Sequence, residues 1–434
     1  MLATPARLRG QSRAAIQLSL DQAIEAARAV SPALAAARHA IVAAEARARQ
    51  AGARPNPVLS YGREQTSSSG ATNSQDIVAV EQRLELGTLR LSRITAAEAR
   101  HRASIARMDV IRAQLDFETT RAYAVALAAG RHLRLAEQAS SAFARAVRVS
   151  DQRFAAGDVS GFSHRRIQLE AARYATIRAE AQLAYRSAVI ALAGTVSGSA
   201  EAISSTAFEL SDTLPTTTAW TSGDRSPTGA LFALPVDSLI RHALQARGDR
   251  RALEFDVEAA RAEARLASAT RVPSPAFSLG FKSERLPNVS GTASGFIAGI
   301  SMPLALWDRR VGAVAASTAD VARALADADG LRRRIASEVA DAVEAWRSLE
   351  EPLEALQPHL GEAASRAMQA IQLAYDEGEV TLVEWLDAVR AWQEAESNLI
   401  ALRAEAMIRR AALARAVGVP FIMADRGAEP SARN

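Results

Sequence analysis

Apolar and polar positions alternate with a period of two in short stretches of the second half of the chain. Phe277, Leu279 and Phe281 each stand between small or polar residues, and a similar alternation returns over residues 296–302. Alternation of this kind is typical of a β-strand whose two faces have different surroundings. The pattern therefore predicts two short strands in this region.

Polar segments rich in Ser, Gly and Asn are the expected connections between strands. Residues 66–75 read TSSSGATNSQ in the first half of the chain, and residues 285–294 read RLPNVSGTAS in the second half. Such segments are typical of exposed loops. The sequence therefore predicts one β-hairpin over residues 57–86 and another over residues 275–304.

Helical periodicity dominates the rest of the chain. Apolar residues recur at spacings of three and four, as at Ile335, Val339 and Val343, and this spacing forms an apolar stripe along a helix. After each β-hairpin we expect a long helix, a Gly-containing turn and a return helix, which together form an antiparallel helical hairpin. The long helices are predicted at 89–154 and 310–375, and the return helices at 163–193 and 381–417. Shorter helices are predicted at 20–29, 32–53, 237–246 and 250–271.

Two copies of one unit account for this order of elements. Residues 44–62, AEARARQAGARPNPVLSYG, match residues 262–280, AEARLASATRVPSPAFSLG, and residues 153–160, RFAAGDVS, match residues 374–381, AYDEGEVT. Internal repetition over most of a chain indicates a duplicated architecture. The predicted organisation is a disordered N-terminus (1–17), a first repeat (18–195), a linker or equatorial segment (196–235), a second repeat (236–418) and a disordered tail (419–434).

Prolines mark the expected changes from helix to strand, because proline lacks the N–H group and clashes with the preceding helical turn. The predicted transition residues are Pro55, Pro57, Pro273, Pro275 and Pro303. Pro352 and Pro358 lie inside the second predicted long helix, where we expect a kink.

Composition narrows the classes of function. The 434 residues are 49% hydrophobic and only 5% aromatic, a combination typical of long, closely packed helices. The chain has no cysteine, which excludes disulfides, thiolate metal sites and catalytic thiols. Basic and acidic residues are interspersed and the net charge is only +4, so we expect no nucleic-acid partner.

No catalytic constellation emerges from the sequence. The six histidines have no metal-site spacing, and no phosphate-binding loop is present. We therefore predict that the protein is not an enzyme and has no cofactor and no metal site. The N-terminal segment carries arginines without a following apolar core, so we expect no secretory signal peptide in the chain as given.

Four short strands are the feature that needs an explanation. Two isolated β-hairpins are marginally stable, and their edges need partners. Four strands are too few to close a barrel, but three chains would supply twelve, an even number within the range of outer-membrane barrels. The expected fold class is therefore mainly α with a small β part, in which long helical hairpins form an α-barrel and a homotrimer completes a 12-stranded β-barrel.

The order and spacing of these motifs resemble the TolC-like outer-membrane efflux proteins. The resemblance rests on the segments ARPNPVLSYG, RVPSPAFSLG, RFAAGDVS and AYDEGEVTLVEWLDAVRAWQEAE. The segment GISMPLALWDRRVGAVAAS at 299–317 is most similar to the heavy-metal (cobalt-zinc-cadmium type) branch of resistance-nodulation-division efflux. The resemblance implies a trimer in outer-membrane lipid that extends into the periplasm, with a periplasmic adaptor (membrane fusion) protein and an inner-membrane resistance-nodulation-division pump as partners.

The resemblance also implies that the helical-hairpin turns contact the adaptor. An ordinary helix reversal, in which Gly only permits a left-handed backbone, remains the alternative interpretation. The candidate adaptor-contact residues are Gly157, Asp158, Val159, Ser160, Gly378, Val380 and Thr381.

Acidic residues near the second turn match the positions of acidic rings at the family's tunnel entrance. Glu384 and Asp387 lie three apart on one helical face, Glu379 is close to them in sequence, and threefold symmetry would arrange them as rings that attract cations. A solvated helix face is the alternative interpretation.

The closure of the entrance departs from the family pattern. The best-known members link an Arg at the second helical-hairpin turn to an Asp at the first turn, whereas Val380 and Ser163 occupy these positions here. Tyr375 is retained, and Tyr375 and Ser163 are the candidate constriction residues. His164 and Arg165 adjoin Ser163 and are candidate substitutes in the link.

Three functions remain open from the sequence. The first is a passive channel in a tripartite efflux system, with heavy-metal cations as the cargo. The second is the same channel serving drug efflux or type I protein secretion. The third is a soluble coiled-coil scaffold, which the duplicated β-hairpins disfavour because a scaffold has no use for them.

Overall fold

The computed structural model describes residues 16–68, 71–198, 208–211, 214, 227–285, 290–356 and 362–421. Its helices are α1 (Leu20–Val30), α2 (Pro32–Ala51), α3 (Leu89–Ala156), α4 (Gly161–Val196), α5 (Pro227–Phe232), α6 (Val236–Ala246), α7 (Gly248–Ala269), α8 (Val311–Leu356), α9 (Glu362–Glu377) and α10 (Leu382–Val417). Its strands are β1 (Ile16–Leu18), β2 (Val58–Ser68), β3 (Ala71–Arg83), β4 (Phe208–Leu210), β5 (Ala276–Arg285) and β6 (Ala293–Ser301). Within the described residues, no helix combines the length and the apolar composition that a membrane span requires.

Two compact units cut across the two sequence repeats. Residues 36–109 and 248–333 form one unit, called the sheet unit here because it contains the large β-sheet. Residues 1–35, 110–247 and 334–434 form the other, called the turn unit because it contains both helical-hairpin turns. Each repeat therefore contributes to both units, and α3 and α8 each have residues in both.

Four antiparallel strands of the sheet unit form one sheet in the order β2-β3-β5-β6. The β2–β3 and β5–β6 pairs are the two predicted hairpins, and the β3–β5 pair joins the two repeats. Among the described residues, β2 and β6 have no strand along their outer edges. The sheet as described is therefore open on both sides, and edges of this kind are templates for further strands.

One face of this sheet exposes a row of large apolar side chains. Tyr61 pairs with Val78, Val78 with Phe281, and Phe281 with Phe296, so that the row crosses all four strands. All four side chains are exposed, and Phe296 is 85% exposed. Exposed apolar patches of this size mark contact with a membrane or another protein.

The first hairpin differs from its prediction. The expected loop at 66–75 is wrong, because β2 continues to Ser68, β3 begins at Ala71, and Thr66 pairs with Asn73 in the ladder. A ladder needs only backbone N–H and C=O groups, so strands in polar surroundings can be polar on both faces and then resemble a loop in sequence. The expected second loop, 285–294, agrees to within two residues, since β5 ends at Arg285 and β6 begins at Ala293.

The second predicted long helix is described as two helices. α8 ends at Leu356 and α9 begins at Glu362. Pro352 lies inside α8, whereas Pro358 lies outside the described residues.

A small parallel sheet and a bidentate ion pair lie in the turn unit. β1 pairs with β4, and the Tyr123 hydroxyl donates a hydrogen bond to the Leu18 carbonyl at 2.8 Å. The Arg28 guanidinium donates to both carboxylate oxygens of Asp116, which is the strong, oriented form of an ion pair. The disorder expected over residues 1–17 therefore does not extend to Ile16 and Gln17, which belong to β1.

Four ion pairs join α3 to α7 across the sheet unit. Each is partly exposed, and such pairs contribute at most about 1 kcal/mol. Their order is antiparallel along the two helices, so they fix the register of one repeat on the other. The pairs are Arg100–Glu263, Arg102–Glu258, Arg107–Asp256 and Asp109–Arg251.

Candidate functional site

The two helical-hairpin turns have the same backbone geometry. Gly157 follows α3 with φ 85°, and Gly378 follows α9 with φ 86°. The Asp158 N–H donates to the Arg153 carbonyl and the Glu379 N–H to the Ala374 carbonyl, both at 2.8 Å. A left-handed glycine with this six-residue hydrogen bond is the Schellman helix end, so the repeated Gly in the sequence has one structural cause in both repeats.

Hydroxyl side chains begin both return helices. The Ser160 hydroxyl accepts from the Ser163 N–H at 3.1 Å, and the Thr381 hydroxyl accepts from the Glu384 N–H at 3.3 Å. Only the second turn completes a capping box, because Glu384 Oε2 accepts from the Thr381 N–H at 2.8 Å. Ser163 and Glu384 therefore occupy equivalent positions, one neutral and one acidic.

The capping box also fixes the charge of Glu384. Hydrogen bonds from the Thr381 backbone N–H and then from its hydroxyl lower the pKa of the Glu384 carboxyl from its ordinary value. The side chain is exposed, so Glu384 presents a negative charge to solvent at neutral pH while its orientation is held by the cap.

An aromatic cluster supports the turns. Phe143 stacks on Tyr174 with ring centroids 4.1 Å apart and meets Trp385 edge-on at 4.8 Å. Trp385 in turn stacks on Tyr375 at 5.1 Å, and its Nε1 donates to Gln372 Oε1 at 3.1 Å. The cluster joins side chains of both repeats, so the two helical hairpins share one core.

Tyr375 is part of this core. Its ring is buried, and burial raises the pKa of its hydroxyl. Within one chain the residue thus packs the two hairpins together, and its part in an entrance constriction stays a prediction.

Arg153 ties the end of the first long helix to the second turn, and sequence reasoning missed it. Its guanidinium donates to the Tyr375 and Asp376 carbonyls at 3.2 and 3.1 Å and lies 5.7 Å from the centre of the Tyr375 ring. These carbonyls belong to the last turn of α9, where a helix presents unpaired acceptors and favours a cation. Arg390 of α10 forms a second tie, an ion pair with Glu170 of α4.

The predicted acidic residues lie together on the second turn. Glu379, Glu384 and Asp387 are all exposed, and so are Asp376 and Glu377. No Lys or Arg stands between Arg366 and Arg390 in the sequence. The first turn has mixed charges instead, since Asp158 is accompanied by Arg153 and Arg165.

The candidate closure residues make contacts within the chain. Ser163 is half-buried beside Ser160, and Val380 packs against the aromatic cluster. His164 stacks on Phe154 with ring centroids 4.8 Å apart. These contacts give no role in a link between chains, which stays a prediction.

The other predicted residues fall where the sequence places them. Gly157, Asp158 and Ser160 are exposed in the first turn and Gly378 and Thr381 in the second, whereas Val159 is half-buried. The transition prolines lie between helix and strand, Pro55 and Pro57 before β2, Pro273 and Pro275 before β5, and Pro303 after β6. No group of three His, Asp or Glu side chains in the described part of the chain is arranged to hold a metal ion.

Gly378→Ala is expected to destabilise the second turn by about 1 kcal/mol, because a side chain is strained at positive φ. An added Cβ would also lie 3.2 Å from an Arg153 Nη atom. Gly330→Ala is the matched control, since Gly330 lies inside α8 and an added Cβ there would meet no atom within 4 Å. This control should stabilise its helix by up to about 1 kcal/mol. Hydrogen exchange of the backbone amides around each glycine measures both effects. If both variants change protection in the same direction and by the same amount, the strained left-handed backbone assigned to Gly378 is contradicted.

Comparison with known proteins identifies the fold. The family model described as outer membrane efflux protein matches residues 23–197 and 239–419. Among curated protein sequences, none matches the chain. The structure is similar to solved structures described as outer-membrane channels, so the predicted fold class of long helices with four strands is confirmed.

Three solved structures illustrate the likeness. CusC has a TM-score of 0.71 at 18% identity, with 95% of each chain covered. The outer membrane protein VceC from Vibrio cholerae has a TM-score of 0.69 at 20% identity, covering 93% of this chain and 97% of VceC. The Campylobacter jejuni CmeC outer membrane channel has a TM-score of 0.71 at 15% identity, covering 94% of this chain and 87% of CmeC.

Proposed function

Because the chain belongs to the outer membrane efflux protein family, we propose that it is the outer-membrane channel of a tripartite efflux system. Three copies form a passive conduit from the periplasm to the exterior, and the energy comes from an inner-membrane resistance-nodulation-division pump. A periplasmic adaptor connects the two. The single observation that supports the channel most strongly is the open four-stranded sheet, whose edges and apolar face lack partners among the described residues.

Assembly with two further copies supplies what the sheet lacks. β2 of one copy pairs with β6 of the next, so that twelve strands close and no edge remains. The exposed row from Tyr61 to Phe296 then faces lipid, where burial of apolar side chains is favourable. The adaptor contacts the exposed turn residues around Gly157 and Gly378.

The cargo is proposed to be cationic, with heavy-metal ions as the favoured class. The support is the second turn, which carries five exposed carboxylates and no basic residue of its own between Arg366 and Arg390, with Arg153 of α3 as the one described cation bound to it. Three copies place fifteen carboxylates around one mouth, which concentrates cations and repels anions. The lowered pKa of the Glu384 carboxyl keeps it ionised there.

The combined substitution Glu384→Gln and Asp387→Asn tests this mouth. Glutamine retains the capping geometry while losing the charge, so the turn should persist. We expect the ratio of cation to anion permeability in planar bilayers to fall by about threefold at low ionic strength, where screening is weakest. Reversal potentials across a salt gradient, recorded with purified trimers, measure this ratio.

Glu394→Gln is the matched control, because Glu394 is exposed on the same helix α10 but lies beyond the turn. This variant should conduct as the parent does. Unchanged ion preference in the double variant would refute the acidic mouth and leave the channel intact. A complete lack of conductance in the parent protein would refute the channel itself.

A further inference from the structure

A cavity of about 270 Å³ lies between α3 and α10 in the turn unit. Its α3 wall follows one helical face from Arg131 to Gln138, and its α10 wall follows one face from Trp392 to Arg403. This volume is several times the roughly 30 Å³ that a water molecule occupies in the liquid. The cavity can therefore hold a small hydrated ligand, and nothing in the channel function accounts for it.

The charged lining of this cavity is strongly unbalanced. Arg131, Arg134 and Arg403 line it, and Glu396 is the one acidic residue among the described lining residues. In the described part of the chain, no hydrogen bond or ion pair engages the three guanidinium groups. Among the described lining residues, three cations therefore share the cavity with one carboxylate, Glu396.

The environment of Arg131 and Arg403 opposes their charge. Burial lowers the pKa of Arg131, and the neighbouring charges of Arg134 and Arg403 lower it further. Burial also lowers the pKa of Arg403, against the attraction of Glu396. Arginine nevertheless stays protonated in proteins, so the repulsion persists until an anion offsets it.

The hydrogen-bonding groups of the lining also favour a negatively charged ligand. Guanidinium groups are donors only, and among the described lining residues only Gln138 and Glu396 have side chains that readily accept hydrogen bonds. Buried donors without acceptors are costly. A ligand that satisfies this lining must bring acceptors and negative charge together.

We propose that the cavity binds a small oxyanion, a phosphate or a carboxylate. The planar guanidinium donors of Arg131 and Arg403 match the oxygens of such a group from the two facing helices. Arg134 is exposed and adds a third positive charge to the lining. Bound oxyanion thereby links α3 of the first repeat to α10 of the second.

Thermal unfolding of the purified full-length trimer in detergent tests the proposal. Sodium phosphate, sodium acetate and sodium chloride are compared at one ionic strength, so that general screening is constant. We expect phosphate or acetate to raise the unfolding midpoint above that in chloride, and the two salts separate the two classes of oxyanion. Arg403→Gln should weaken the apparent affinity by about tenfold, the effect of losing one charge-assisted hydrogen-bonding group.

Two further variants make the result decisive. Arg131→Gln combined with Arg403→Gln should abolish the oxyanion effect, whereas Arg178→Gln, at an exposed position on α4, should retain it. Equal midpoints in all three salts would overturn the proposal, as would an undiminished effect in the double variant. A third outcome would also overturn the proposal. If the parent shows no oxyanion effect and the double variant dissociates into monomers, the cavity is filled by a carboxylate of a second copy and not by a small oxyanion.

Discussion

Gly280→Ala is expected to disrupt the four-stranded sheet and to deplete assembled trimers. An added Cβ would lie 2.6 Å from the Val78 carbonyl oxygen and 2.8 Å from the Ala79 Cβ. Neither atom can rotate away, so β3 and β5 must separate locally. Overpacking of this kind costs about 1–3 kcal/mol, and a trimer with three such sites incurs it three times. Unheated gel electrophoresis of outer-membrane extracts measures the fraction of trimer.

Gly62→Ala is the matched control for this substitution. Gly62 lies in β2, and an added Cβ there would meet no atom within 4 Å. This variant should assemble like the parent protein. Equal trimer yields for Gly280→Ala and Gly62→Ala would show that the β3–β5 pair tolerates the extra methyl group, despite the close approach of Gly280 to β3.

Trp385→Ala is expected to open the second helical-hairpin turn. The side chain is fully buried, and its removal takes away the stack on Tyr375, the edge contact with Phe143 and the hydrogen bond to Gln372. Truncation of a buried tryptophan costs about 3–5 kcal/mol. Protection of the backbone amides in α9 and the start of α10 should therefore fall by about two to three orders of magnitude in hydrogen exchange.

Two further variants serve as controls for this prediction. Trp307→Ala removes a tryptophan that is 92% exposed, so it should leave exchange at the turn unchanged. Trp385→Phe keeps an aromatic ring but loses the bond to Gln372, and its effect should be intermediate. Full protection in Trp385→Ala would mean that the aromatic cluster does not hold the turn.

The turns were predictable from sequence because their causes are local. The left-handed Gly157 and Gly378, and the capping hydroxyls of Ser160 and Thr381, act on residues within one helical turn. The same local chemistry appears in both repeats, so the duplication itself indicates which residues matter. The acidic character of the second turn was likewise predictable, because its carboxylates are close together in the sequence.

The contacts between repeats were not predictable. Arg153 meets the Tyr375 carbonyl across 222 residues of sequence, and nothing in the pattern of either helix indicates this partner. The three-residue strands β1 and β4 are too short to show a period, and their pairing is also distant in sequence. The prediction failed at the polar ends of β2 and β3 for another reason. Alternation between apolar and polar residues disappears where both faces of a strand are polar.

The β3–β5 ladder imposes an order on folding. Ser74 pairs with Arg285, so the ladder must wait until more than half of the polypeptide has been synthesised, whereas each hairpin closes from neighbouring residues. Closing so long a loop is slow, because its entropy is lost before the new contacts form. Until the second hairpin arrives, the outer edge of β3 stays bare and prone to aggregation. The first hairpin must therefore be protected from aggregation with other copies of the chain until the second hairpin has been synthesised.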